Sequence, residues 1–86
     1  MIEHDPQEKC FRAPGGAILS YTIEGDRHLF DHTEVPPELR GQGVAAELAT
    51  AALEHARENG WRVVPACSYI EVFIRRNREY ADLVES

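Results

Sequence analysis

The stretch Val35-Pro36-Pro37-Glu38-Leu39-Arg40-Gly41-Gln42-Gly43-Val44-Ala45 constrains this chain most, because the residues before it alternate like a strand and those after it repeat like a helix. Two adjacent prolines fix φ and lack N–H donors, so they end strand pairing and keep the connection extended. Gly41 and Gly43 then permit a tight bend and close approach to the backbone. No Ser, Thr, Asp or Asn starts the next helix, so its first N–H groups and the positive end of its dipole lack a side-chain acceptor. An anion such as phosphate would fill that vacancy. Water or the Gln42 side chain would also fill it, since a short glycine turn is a degenerate signal.

Upstream, residues 9–13 read as a short strand stopped by Pro14-Gly15-Gly16, and residues 17–24 alternate with a strand's period of two. Gly25-Asp26 is a hairpin signal. Residues 27–35 continue as a third strand, with His28, Phe30, His32 and Glu34 on one face and Leu29, Asp31, Thr33 and Val35 on the other. A three-strand antiparallel meander is expected, after a loose polar lead-in over residues 1–8.

Downstream, Val44, Ala45, Leu48, Ala49, Ala52, Leu53 and Ala56 recur at helical spacing, predicting a helix over 43–59 that stops at Asn59-Gly60. The apolar run over 61–66 reads as a strand covered on both faces. A right-handed crossover makes it parallel to the third strand and brings Val35 and Cys67, at the carboxyl ends of the pair, to the sheet edge where ligands of such sheets collect. Residues 68–84 predict a second helix, with Ser68 and Glu71 at capping-box spacing and a break near Asn77-Arg78. The fold class is α/β (α+β): one domain over 1–86, with a mixed sheet.

At 86 residues the core is modest and has room for one site. Fifteen acidic and nine basic residues leave a net charge of −6, which argues against nucleic-acid or anionic-membrane binding and suits a cationic partner. Two cysteines are too few for a disulfide framework, so a reducing cytoplasm is expected. No secretory leader and no membrane-spanning run is expected either. A monomer or weak homodimer is the expected state.

Residues 32–67 resemble the acyl-CoA-binding core of the GNAT superfamily of N-acetyltransferases. The resemblance rests on His32-Thr33-x-Val35-Pro36-Pro37, Arg40-Gly41-Gln42-Gly43-Val44-Ala45 and Val64-Pro65-x-Cys67-Ser68-Tyr69. It points to a compact branch of that superfamily and extends more loosely from Lys9 to Tyr80. It implies that the strand before the glycine turn splays from the strand after the helix, that a pantetheine arm enters the gap and bonds the backbone near Val35, and that residues 40–45 hold the pyrophosphate. The implied acetyl-CoA contacts are Thr33, Val35, Arg40, Gly41, Gln42, Gly43, Val44, Ala45, Ser68, Phe73, Arg75 and Arg76. No metal is implied. The chain departs from larger members in lacking the N-terminal helices that wall the acceptor pocket. It also has Phe73 where a tyrosine often protonates the departing thiolate.

Amine acetylation by a thioester requires a deprotonated amine and a proton for the leaving sulfur, with positioning supplying much of the rest. Glu34 and His32 are candidate bases, although a carboxylate at a strand end is commonly just solvated. Cys67, at a helix start, is a candidate acid or transient acetyl carrier; its plain alternative is a small buried apolar residue. Tyr69 is a weaker acid candidate, better suited to packing. His28 and His32, four apart on a strand, are too far apart to share a zinc ion. Arg75, Arg76 and Arg78 suit either the adenosine phosphates or a solvated helix face. His4 and His55 read as surface residues. The leading expectation is an acetyl-CoA-dependent N-acetyltransferase acting on a primary amine of a small molecule or protein. The alternatives are an acyl-CoA-binding module without efficient catalysis and, more remotely, a hydrolase with Cys67 as nucleophile and His32 as its base.

Overall fold

The computed structural model describes residues 2–84. The alternating first half forms four antiparallel strands in sequential order, β1 (Glu3–Asp5), β2 (Cys10–Arg12), β3 (Ile18–Glu24) and β4 (Arg27–Glu34). Helix α1 (Val44–Asn59) then crosses back, and β5 (Arg62–Val64) joins the sheet beside β4 and parallel to it. Helix α2 (Ser68–Arg76) and a 3₁₀ segment (Arg78–Leu83) complete the chain. The expected mixed sheet and strand–helix–strand crossover are both present.

The meander has one strand more than expected. Residues 3–5, which fall in the expected loose lead-in, pair with β2 from Glu3↔Arg12 to Asp5↔Cys10. Asp5 Oδ2 also accepts from Arg12 Nη1 at 2.6 Å, tying the two strands at their side chains.

In β4, Ser20 pairs with His32 whereas Tyr21 pairs with Phe30, so Asp31 is an extra residue opposite no partner. This bulge resets the side-chain alternation. Phe30 and Thr33 therefore share the inner face, opposite the buried Tyr21 and Leu19, while His32 and Glu34 turn outward beside Ser20 and Ile18. The expected division of the strand into unbroken even and odd faces fails at this point.

Burial drives the layering. Leu48, Ala49, Ala52, Leu53 and Ala56 of α1 are all fully buried, and they join Phe11, Leu19, Phe30, Val63, Ile70 and Ile74 in one apolar cluster. Each large member contributes about 1.5–3 kcal/mol from leaving water. Helix α1 closes on Gly60, whose N–H reaches the Arg57 carbonyl at 3.4 Å while the Trp61 N–H reaches that of Ala56 at 2.9 Å. These two bonds satisfy carbonyls that the last turn would leave open.

Two further expectations are corrected, and one is met. β5 is buried at Val63 alone, with Arg62 exposed and Val64 half-buried, because it lies at the rim of the sheet rather than inside it. The capping box does not form: Cys67 is the N-cap of α2 without a side-chain bond, and Glu71 reaches Arg75 at 3.5 Å. The expected break near Asn77-Arg78 is present: α2 ends at Arg76, and Asn77 Nδ2 donates to the Phe73 carbonyl at 2.9 Å before the stretch that follows turns 3₁₀. Tyr80 then anchors that segment, donating its hydroxyl to Glu54 Oε2 at 2.7 Å.

Candidate functional site

β4 and β5 pair over only three residues, from Arg27↔Arg62 to Leu29↔Val64. Pro65 cannot donate to a ladder, and the Ala66 N–H turns back to the Val64 carbonyl at 2.9 Å. The next N–H, that of Cys67, crosses to the Phe30 carbonyl at 2.8 Å and starts α2. Past that bond the two chains part, and a cleft opens between the end of β4 and the start of α1.

The glycine turn forms the cleft's other wall. Pro37–Leu39 make a 3₁₀ turn, Arg40 is extended, and Gly41 and Gly43 sit at φ 82° and 80°. A side chain at either glycine would meet nothing within 4 Å, so positive φ rather than crowding demands glycine, and open space lies over both. Gly43 is the N-cap of α1, and no side chain caps the helix. Gln42 does not fill the vacancy: its Nε2 donates back to the Glu38 carbonyl at 3.1 Å. The Arg40 Nε donates to the Val35 carbonyl at 3.3 Å, bracing the turn against the strand end.

One lobe of the cleft, about 250 Å³, is lined by Val35, Arg40, Gly41, Gly43, Val44 and Ala45, together with Leu39, Ala46 and Tyr69. A second, about 270 Å³, shares Val35, Arg40, Ala45 and Tyr69 with it and adds Thr33 and Glu34. Open donors at one end and a mostly aliphatic wall at the other suit a ligand with an anionic group and an apolar arm.

The family model of the GCN5-related N-acetyltransferases matches residues 11–83. The chain belongs to that family. This GNAT chain is 39% identical over 82 residues to Protein NATD1 of Bos taurus, covering 88% of this chain and 73% of that protein. It is 37% identical over 82 residues to Protein NATD1 of Homo sapiens, with 88% and 73% covered. Its fold matches the NMR solution structure of a GCN5-like putative N-acetyltransferase from Staphylococcus aureus, with a TM-score of 0.76 and 29% identity over all of this chain and 88% of that one.

Of the residues singled out in the sequence of this GNAT chain, Thr33, Glu34, Val35, Arg40, Gly41, Gly43, Val44 and Ala45 line the cleft. Gln42 and Ser68 are exposed beside it and outside its lining. Phe73 is half-buried between Tyr69 and Tyr80, with ring centroids 6.1 and 6.3 Å away. Arg75 and Arg76 are exposed on the last turn of α2, away from the lining. His32 points to the outer face, 58% exposed, with its Nε2 3.7 Å from Glu34 Oε1, so it pairs with Glu34 and not with Cys67.

Cys67 is half-buried, with Sγ 3.6 Å from the Thr33 hydroxyl. Burial pushes its thiol up, but this is outweighed by hydrogen bonds from the Ile70, Tyr69 and Thr33 N–H groups and the Thr33 hydroxyl, so the thiol lies below its ordinary range. Sequence reasoning ranked Tyr69 only as a weaker acid candidate, yet it lines both lobes; it is 37% exposed, and partial desolvation pushes its phenol up. Its place on the first turn of α2 was the available signal. Leu39 and Ala46 were also missed, being plain apolar residues that flank the glycine turn. Among the described residues, no group of three His, Cys, Asp or Glu side chains is placed to hold a metal ion, and no helix is long and apolar enough to cross a membrane.

Proposed function

We propose that this chain moves an acetyl group from acetyl-CoA to a primary amine. The supporting observation is the coincidence, in one cleft, of an uncapped helix start over two open glycines with strand backbone that β5 leaves without a ladder partner. The pyrophosphate would lie on the N–H groups of residues 43–45 with Arg40 beside it, and the pantetheine arm would run along the end of β4 past Val35. The Val35 carbonyl is already taken by Arg40, so the arm would bond to the remaining backbone of this stretch.

In the transfer, the amine nitrogen attacks the thioester carbonyl, a C–N bond forms and the C–S bond breaks. Glu34, which lines the second lobe, accepts the amine proton directly or through water. The CoA thiolate receives a proton from Tyr69, a phenol that holds its proton at neutral pH. The lowered thiol of Cys67 favours a second route, in which Sγ first takes the acetyl group from CoA and then passes it to the amine, leaving the thiolate restored. The net charge of −6 suits a cationic acceptor, whether a polyamine-like molecule or a lysine side chain. These chemical events, and the acceptor's class, go beyond family membership.

The test is a calorimetric titration with CoA, followed by thiol release from acetyl-CoA across a panel of amines. Binding with amine-dependent release supports the transferase. Binding without any release would replace it with a CoA-binding module, and the absence of binding would remove both.

A further inference from the structure

At the end of the sheet remote from the cleft, three histidines from three separate elements converge. His4 comes from β1, His28 from the start of β4 and His55 from α1, and all three are half-buried, contrary to the surface placement expected for His4 and His55. The His4 ring stacks on Phe11 at 4.4 Å and 15°, and its centroid lies 4.4 Å from that of His55. His28 lies flat on Trp61, 3.7 Å away at 7°. His4 Nε2 is 2.7 Å from the Tyr21 hydroxyl.

The arrangement accommodates neutral rings and resists charged ones. His4 Nε2 and the Tyr21 hydroxyl share one hydrogen bond, whose direction follows the imidazole tautomer, and burial pushes the Tyr21 phenol up. His28 Nδ1 is buried with no hydrogen-bond partner, so protonation there would place an N–H where nothing accepts it. Burial holds both His4 and His28 below their ordinary range. The His55 charge adds to this for His4, and the charges of His4 and His55 add to it for His28. The carboxylate that opposes the shift at His4 is Asp5, which is already bound to Arg12. Arg27, ion-paired with Glu24 at 3.7 Å, and Arg62, its partner in register, lie at the same end.

β1 is a short element with little to hold it: three residues at the sheet edge, joined to β2 alone within the sheet. We propose that His4 and His28, with His55 packed against His4, form an acid-sensitive latch that keeps β1 on the sheet while their rings are neutral and releases it when they take up protons.

Hydrogen exchange followed by mass spectrometry at pH 7.5 and 5.5, corrected for intrinsic rates, tests this on the full chain. The latch requires exchange in residues 2–12 to rise several-fold in acid, as uptake of protons by the open form favours opening, while residues 44–59 stay protected. His4→Phe, which keeps a ring on Phe11, is expected to abolish most of that rise. Unchanged exchange, loss of protection in both segments together, or an undiminished rise in the variant overturns the proposal. NMR titration of the wild-type imidazoles decides independently should the variant fail to fold: His4 and His28 are expected below a free imidazole, and ordinary titration of both overturns the latch.

Discussion

The amide of Cys67 donates to the carbonyl of Phe30 at 2.8 Å, joining the first residue after β5's turn to the last residue of β4 before its bulge. This bond marks where the two parallel strands part. It also brings the Cys67 Sγ within 3.6 Å of the Thr33 hydroxyl, which the bulge has turned inward.

Cys67 is therefore expected to react with iodoacetamide at a lower pH midpoint than an ordinary thiol, and Thr33→Val to move that midpoint upward by removing one donor. Cys10, only 4% exposed and pushed up by burial, serves as the slow internal reference. A Cys67 midpoint unaffected by Thr33→Val, followed by mass spectrometry of each modified peptide, would show that the hydroxyl has no hold on the thiol.

Gly43→Ala is expected to lower stability by about 1–2 kcal/mol, since φ 80° costs a side-chain-bearing residue that much even where space is open. Urea denaturation measures it. If the backbone instead relaxes away from positive φ, the first N–H groups of α1 turn with it, so CoA titration should weaken in step.

Tyr69→Phe is expected to reduce turnover by about 10²-fold, the scale of a lost general acid, while leaving CoA binding within about twofold. Steady-state kinetics with separate CoA titration checks this. Equal losses in both would make the ring a binding surface. Cys67→Ala with full activity would remove the acetyl-cysteine route.

The Tyr80 phenol is pushed up to about 12 by burial and by its bond to Glu54. A raised folded-state value favours the protonated form, so this contribution is complete below pH 10 and declines as pH climbs towards 12. About 1.4 kcal/mol should be gone by pH 11. Thermal melts from pH 8 to 11 should show that decline in the wild type and a shallower one in Tyr80→Phe.

Most of the site was legible from Pro36-Pro37, the two glycines and the alanine-rich repeat behind them, because each restricts the backbone locally. The family likeness carried the same residues. What escaped was non-local. A bulge at Asp31 leaves no mark in a run of polar residues, so simple alternation puts Thr33 and Val35 on the face opposite Phe30, and His32 and Glu34 on its own. Residues 3–5 are polar and short, and the β2 ladder, the Asp5–Arg12 pair and the stacking of the His4 ring that hold them on the sheet are all made with residues distant in sequence. The histidine cluster depends on three elements meeting, which no single window of sequence contains.

Helix α1 rests on the sheet through Ala49, Ala52 and Ala56 as well as two leucines, every one of them fully buried. A helix seated on methyl groups has no slack, because the surrounding packing cannot give way to a longer side chain without lifting the whole rod. Its first turn is one rim of the cleft. The height of the glycine turn's rim is thus gauged by alanines up to three turns distant, and enlarging Ala56 would register at the cleft as a misplaced rim before it registered as a damaged core.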